Sequence, residues 1–387
     1  GPPTRRPTLG GSRVVRVGGA RTGASQVTPS ALRLARPALP ALALSLVVAL
    51  AACAGSDADG SDSDAPFRAA LLTDGPVSDA GWYAGAYEGL LEIEARWGAE
   101  ISHQQTRGAS EYDEAFLAYG TEGYDVVFAH GSEYQDAAMR AGERFPGTTF
   151  IVSGGGQMAD NVVPLIFTLE NGSYLAGMAA GGMTESGVVG MVGGVRIPPA
   201  EGVFLAFEAG VKRVRPDAEV LETWIGSWDD VASAREAVTS HISRGADVVV
   251  HNTDGASFGV FNAVREAVDG GDPTWAIGMN RDQNDIAPEI TLGSAVIRIE
   301  DAFVAIIEAW HNGEIGGAPY YAGGDNDVVD FVANPAVMDR IPVELLASID
   351  SMRLAIRSGA FDPPRVPFIE GEPGFEADSG ATGDGGG

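Results

Sequence analysis

Two stretches of this chain, far apart in the sequence, read almost alike. Tyr124-Asp-Val-Val-Phe-Ala-His130-Gly131 leads into a helical pattern over Glu133–Phe145, then a β-branched run at Thr149–Ser153 and a glycine loop. Ala246-Asp-Val-Val-Val-His251-Asn252-Thr253-Asp254-Gly255 leads into a second helical pattern over Ser257–Val268, then the run Trp275–Gly278. The two halves also open alike, with Leu71-Leu72-Thr73-Asp74-Gly75 in one and Gly190-Met-Val-Gly193-Gly194 in the other. A repeated strand–loop–helix unit leaves few architectures open. Parallel neighbours need crossover helices, and those helices bury both faces of the sheet. The expectation is an α/β protein of two doubly wound lobes with parallel sheets.

The rest of the pattern agrees. Short apolar runs at Ala69–Thr73, Val126–Ala129, Phe150–Ser153, Val188–Val192, Val248–His251 and Trp275–Gly278 alternate with helical spacings. Val231, Ala234, Val238 and Ile242 recur at steps of three and four, as do Phe303, Ile307 and Trp310. In open parallel sheets, ligands bind outside the carboxyl ends of the strands. Six segments should therefore converge on one cleft: Asp74–Trp82, Ala129–Ser132, Ser153–Gln157, Ser227–Asp230, His251–Gly255 and Asn280–Gln283.

Composition sets the surroundings. Cys53 is the single cysteine, in Leu50-Ala51-Ala52-Cys53 after the apolar stretch Ala41–Ala52. That stretch has signal-peptide length and is too short to span a bilayer. A lone thiol directly after it reads as a lipoprotein cleavage site; an ordinary secreted protein is the plainer alternative. Residues 1–52 are thus expected to be a signal peptide, those before about Ala31 an over-extended start or a tag. The chain counts 25 basic and 53 acidic residues, and seven of the basic ones are leader arginines, so the remainder is near −35. Lys212 is the only lysine. Such a surface repels nucleic acid and anionic lipid, which argues against binding either. Residues 53–66 form a small, acidic, turn-rich tether after Cys53, and 371–387 a similar disordered tail.

Several segments then carry a resemblance. Asp79-Ala-Gly-Trp82-Tyr-Ala-Gly-Ala-Tyr-Glu-Gly89, Gly172-Ser-Tyr-Leu-Ala-Gly177, Phe207-Glu-Ala-Gly210, Gly226-Ser-Trp228-Asp229, Gly245-Ala-Asp-Val-Val and Gly278-Met-Asn280-Arg-Asp282-Gln283 stand in an order and spacing that resemble the basic membrane protein family. These purine nucleoside receptors are substrate-binding lipoproteins of ABC transporters, and the likeness covers about Phe67 to Phe368. It implies the type I periplasmic binding protein fold, with two lobes joined by a three-strand hinge. The lobe boundaries expected are 67–168 with 298–316, and 169–297 with 317–370. It also implies a lipid-anchored, extracytoplasmic protein at the cell membrane, monomeric, serving permease and ATPase subunits.

The resemblance places Trp82 and Trp228 where the family has sandwiching aromatics, one from each lobe. Stacking on a base face contributes roughly 1–3 kcal/mol. Asp74 and Asp79 stand where carboxylates accept from ribose hydroxyls. Departures from the family pattern accompany these matches. Asn280 replaces a common Asp that grips ribose, so an Asp there is expected to strengthen ribose recognition. Arg298 stands for a Lys, Ser153 or Gly154 for an Asp, and Tyr83 for an Asn. The candidate ligand-binding set is Asp74, Asp79, Trp82, Tyr83, His130, Gly131, Ser153, Gly154, Trp228, Asp254, Asn280, Asp282 and Arg298.

Structural readings stand beside these. Trp82 is in register with Ala86, Leu90, Ile93 and Trp97, which is a core spacing too. Asp79 could be a helix cap, and Asp229 or Asp230 could cap the helix after Trp228. His130 and His251 end equivalent strands, where a histidine is commonly neutral and hydrogen-bonded. The five histidines have no metal spacing, so neither a metal nor a cofactor is expected. A P-loop is absent, because Lys212 is followed by Arg213. Gly255-Ala-Ser257-Phe-Gly259 fits the nucleophile-elbow pattern, but a hydrolase would need a downstream histidine, and only His311 qualifies. The reading is therefore a non-enzymatic solute receptor. Its alternatives are a signalling receptor without transport and a serine hydrolase using Ser257.

Overall fold

A computed structural model describes residues 66–78, 81–369 and 372. The first lobe begins with β1 (Arg68–Thr73), α1 (Trp82–Trp97), β2 (Glu100–Gln105), α2 (Ala109–Glu122), β3 (Val126–His130), α3 (Gln135–Arg144), β4 (Thr149–Ser153) and β5 (Val162–Phe167). The second contains α4 (Glu170–Met183), β6 (Val188–Gly193), α5 (Pro198–Val214), β7 (Glu219–Trp224), α6 (Val231–Ser243), β8 (Val248–Asn252), α7 (Ser257–Gly270), β9 (Trp275–Asn280) and β10 (Thr291–Ile297). Then come α8 (Ile299–His311), β11 (Tyr320–Ala322), β12 (Val329–Ala333) and α9 (Val343–Arg357).

Two six-stranded sheets result, ordered β11-β5-β4-β3-β1-β2 and β12-β10-β9-β8-β6-β7. Every pairing is parallel except β10 with β12. All residues of β3, β8 and β9 are buried, which is why these strands read as unbroken apolar runs. Edge strands read differently. β2 and β7 have neighbours on one side only, so polar residues such as Glu100, Gln105, Glu219 and Glu222 interrupt them.

The chain crosses between lobes three times. It leaves β5 for α4, which packs on α5, α9 and strands of the second sheet. It returns from β10 into α8, which packs on α1, and adds β11 beside β5. Finally it leaves β11 for β12 in the second sheet. The first sheet therefore takes in residues as late as Ala322. This is the two-lobed α/β architecture expected from the repeat, and Arg298 holds two of its crossings together. Its backbone N–H donates to the Val328 carbonyl at 2.8 Å, and Nη1 donates to the Asp327 carbonyl at 2.5 Å.

Helix packing explains two of the glycine-bearing motifs. A Cβ on Gly177 would stand 2.1 Å from the Phe207 carbonyl oxygen, and one on Gly210 would stand 2.1 Å from that of Tyr174. The backbones of α4 and α5 thus touch reciprocally, and any larger residue would push them apart. Among the described residues no helix is long and apolar enough to cross a membrane. Cys53, the leader and nearly all of the tether and tail lie outside the described residues, as does Asp79.

Candidate functional site

Most of the expected segments lie at the carboxyl ends of the strands and at the helix starts that follow them, one group in each lobe and each taken as one wall of the candidate site. In the first lobe β3 ends at His130, which is fully buried. Its Nδ1 shares a 2.8 Å hydrogen bond with Ser153 Oγ at the end of β4. Nε2 has no hydrogen-bond partner, although the Trp82 backbone lies close enough to offset slightly the burial that lowers this imidazole to about 3. His130 is therefore neutral at physiological pH. The indole of Trp82, first residue of α1, stacks on it at 4.0 Å and 27°, with the Phe167 ring against the indole edge-on at 5.5 Å. Trp82 is half-buried and leans on the lobe core, as its register with Ala86, Leu90, Ile93 and Trp97 predicts.

Asp74, just after β1, has one carboxylate oxygen buried without a partner. Burial raises its pKa, a Tyr112 hydrogen bond opposes that, and Glu111 adds to it. Glu133 was not foreseen in the sequence. Its carboxylate sits so close to Gly131 that a Cβ there would be 2.1 Å from Oε1. Water reaches Glu133, yet surrounding protein desolvates it and Asp74 adds a like charge, so its pKa rises. Tyr112 and Tyr134 complete the wall; their rings meet at 4.4 Å, and Tyr134 Oη lies 2.5 Å from Thr106 Oγ1. Gly154, with φ +72°, makes the turn after β4 and donates to the Leu165 carbonyl at 2.8 Å. The Tyr83 ring lies over Gly75, where a Cβ would be 2.3 Å from Cε2.

The second wall is built from the loops after β6, β7, β8 and β9. The Trp228 indole lies on Gly194, where a Cβ would be 2.2 Å from Cε3, and its carbonyl accepts from Ala256 N–H at 2.8 Å. Asp230, rather than Asp229, caps α6, accepting from the amides of Ala232 and Ser233. His251 is buried and lowered by burial to about 4. Gln283 Oε1 accepts Met279 N–H at 3.0 Å, so His251 Nε2, 2.9 Å from the same oxygen, carries the proton. Nδ1 then accepts from the Thr253 hydroxyl at 3.3 Å. Asn280 Nδ2 donates to Asp254 Oδ1 at 2.7 Å. Asp282 is exposed and accepts Asn284 N–H at 3.0 Å, a local turn. Arg298 sits on the hinge instead, with one guanidinium nitrogen used there.

The walls offer aromatic plates and hydrogen-bond acceptors, which suit a planar polar ring. No nucleophile with a base is assembled around Ser257. That serine is buried at the start of α7, while His311 lies in the first lobe, bonded to the Ile307 carbonyl at 2.9 Å and stacked on Trp97. Among the described residues no cluster of His, Cys, Asp and Glu could hold a metal.

Comparison with known proteins places this geometry. Residues 67–351 match the family model described as ABC transporter substrate-binding protein PnrA-like. A nucleoside-binding ABC transporter protein of Lactococcus lactis, BmpA, is 30% identical over 64% of this chain and 73% of its own. The transcriptional activator protein med of Bacillus subtilis is 26% identical over 70% of this chain and 84% of its own. An ABC transporter solute-binding protein of Aeropyrum pernix superposes with a TM-score of 0.69, at 20% identity, over 77% of this chain and 94% of its own. That superposition bears on the fold alone: the type I periplasmic solute-binding architecture. The family match covers both lobes and the crossings between them, and on it this chain belongs to the PnrA-like (Bmp) family of ABC transporter substrate-binding proteins.

Proposed function

We propose that this receptor binds a nucleoside, or a similar small polar ring compound, between its lobes and delivers it to an ABC permease and its ATPase. The observation that carries the reading is the pair Trp82 and Trp228. Each is half-buried at the start of a helix or in the loop before one, and each belongs to a different lobe. Aromatic faces take a planar ring, and Asp74 and Asp254 provide acceptors for its hydroxyl and N–H groups. Ligand that touches both lobes favours the closed state by its differential contacts, and the permease reads that state. The BmpA relative is named for nucleoside binding, which supports the ligand class.

Anchoring belongs to the same proposal. Cys53 follows an apolar run with small residues before it, which supports a lipidated, extracytoplasmic protein. One acyl-bearing group binds a bilayer weakly, so stable attachment requires further acylation. The med relative is named as a transcriptional activator, which favours a second reading in which binding is reported rather than coupled to import. Adjacent permease and ATPase genes would favour import, and an adjacent sensor kinase would favour signalling.

Calorimetric titration of adenosine, guanosine, inosine, uridine and cytidine, with a few non-nucleoside ring compounds, tests the ligand class. Native mass spectrometry of protein purified without refolding tests for retained ligand. If no nucleoside binds at millimolar levels, the nucleoside assignment fails while the fold stands.

A further inference from the structure

Past α9 the chain leaves the second lobe in a fixed direction. Gly359 takes φ +68°, and the amides of Gly359, Ala360 and Phe361 donate to the carbonyls of Ile356 and Ala355 at 2.9–3.1 Å. Phe361-Asp-Pro-Pro-Arg-Val-Pro-Phe368 then runs on as neither helix nor strand. Its three prolines hold φ near about −65° and remove three amide donors. Such a segment is poorly suited to a helix or a central strand, and it has little freedom to lose when it docks.

This segment lies on both lobes. On the second, the Phe361 ring packs against Tyr174 of α4 at 4.8 Å. The Val366 amide sits over Gly202 of α5, where a Cβ would be 3.2 Å from its nitrogen. Glu170, buried at the start of α4, is part of the same contact: that Cβ would be 2.5 Å from its Oε1, and Arg365 opposes the effect of burial on its carboxyl. On the first lobe, the Arg365 guanidinium lies over the Tyr321 ring of β11 at 5.7 Å, and Tyr321 Oη donates to Glu372 Oε1 at 2.5 Å. The Phe368 carbonyl covers Gly156, where a Cβ would be 2.7 Å from its oxygen. Ile369 is buried, and its amide donates to Glu372 Oε2 at 3.3 Å. Gly156 belongs to the loop after β4 and Gly202 to the helix after β6, so the segment joins one wall of the candidate site to the other. The family match ends at residue 351, inside α9, and does not reach it.

We propose that Phe361–Ile369, with Glu372, is a strap that resists separation of the lobes and so regulates how readily the empty receptor opens. Contacts to both lobes at once hold only at one lobe separation, so detaching the strap from the first lobe shifts the population toward wider ones. Apparent affinity then falls with the fraction of binding-competent protein. That consequence rests on the proposed ligand-binding role of the two walls; the lobe separation does not.

Spin labels on Glu114→Cys of α2 and Glu236→Cys of α6, in Cys53→Ser protein, report the distance between lobes by double electron–electron resonance. Three variants are compared with the full chain, each also titrated with the five nucleosides. Truncation after Pro364 removes the first-lobe contacts and keeps Phe361 on Tyr174. Truncation after Glu372 keeps the whole strap. Gly156→Ala keeps the chain whole, and the three atoms nearest the added methyl all belong to Phe368. Truncation after Pro364 should spread the ligand-free distances toward longer values and weaken binding by about threefold to tenfold. Gly156→Ala should move both in the same direction by less, and it decides alone should the truncated chain not fold. Truncation after Glu372 should match the full chain. Unchanged ligand-free distances in the first truncation and in Gly156→Ala overturn the strap, and so does a widening already present after truncation at Glu372. Wider distances with unchanged affinity overturn its control of binding. A full chain that binds none of the nucleosides overturns the nucleoside reading, while the distances still decide the strap.

Discussion

Arg281 and Glu88 belong to different lobes and meet in an ion pair. Arg281 follows β9 and Glu88 lies on α1, and Nη2 reaches the two carboxylate oxygens at 2.9 and 3.2 Å. Under the proposed closing of the two lobes on a ligand, contacts across them would favour the closed state, and this pair crosses from one to the other. Its side chains are 31% and 48% exposed, so it contributes about 0.2–1 kcal/mol. Glu88→Gln is therefore expected to lower ligand affinity by up to about fivefold at low ionic strength, with the difference shrinking as salt is added. Titrations of wild type and variant at two salt concentrations check this. Equal affinities at low salt would remove the pair from the closing contacts.

The two tryptophans should respond differently to truncation. Trp228 sits in a loop on the surface of Gly194, outside the helices and strands. Trp228→Ala is expected to cost roughly 1–3 kcal/mol of nucleoside binding, tenfold or more, with little change in Tm. Trp82 instead stacks on buried His130 and leans on the first-lobe core. Trp82→Ala should lower affinity and Tm together. Calorimetry and melting on the same preparations separate the two cases, and a Trp228 variant that binds as wild type does would take that ring out of the site.

Buried titratable groups set opposing pH dependences. Burial lowers His130 to about 3 and His241 and His251 to about 4, against an ordinary value of 6.5. The unfolded chain takes up protons below 6.5 that the folded chain refuses until about 4. The stability tied to these three is complete above 6.5 and is lost as pH falls toward 4. Glu170 at the start of α4 has the reverse sign. Burial pushes it from 4.5 to about 7, with Arg365 partly opposing. Stability tied to its proton is complete below 4.5 and lost as pH rises through 7. Glu170→Gln, which imitates the protonated form, should raise Tm more near about pH 8 than near about pH 5. The same Tm change at both values would show that Glu170 does not titrate in that window.

What the sequence made legible follows from how each group acquires its environment. β3, β8 and β9 are buried on both faces, so their burial is written into consecutive apolar residues. Edge strand β2 carries His103, Gln104 and Gln105 because one side lacks a neighbour, and no periodic signal survives. β5 contains Pro164, a residue that ordinarily argues against a strand. The Trp82 register could not separate core from site because a ring at the start of α1 that leans on the core fits either role. Glu133 and Tyr112 reach Asp74 only through the packing of α2 and the turn after β3, which local spacing does not encode. The Asp254–Asn280 bond depends on two left-handed backbones, which Asp and Asn adopt more readily than other side-chain-bearing residues but which no local spacing marks at these two positions.

Ser257 provides a direct check on the hydrolase reading. It begins α7, buried, and the histidine that the elbow pattern would require is in the other lobe. A fluorophosphonate probe should leave the native protein unlabelled. Labelling that Ser257→Ala abolishes would establish a nucleophile at this position and contradict the receptor reading.

Anchoring rests on the one cysteine of the chain. Cys53 follows Leu50-Ala51-Ala52 and precedes an acidic, turn-rich segment, and on the proposed lipoprotein reading it would become the lipid-bearing mature N-terminus. A diacylglyceryl thioether requires that thiol, and a hydroxyl cannot replace it in the same chemistry. Cys53→Ser expressed with the full leader should therefore lose metabolic lipid labelling and appear in the aqueous phase of a detergent separation, whereas wild type enters the detergent phase. Ligand affinity should be the same in both, because the cleft is built from residues after Phe67. Wild-type protein that stays in the aqueous phase would make Cys53 incidental and the protein an ordinary secreted receptor.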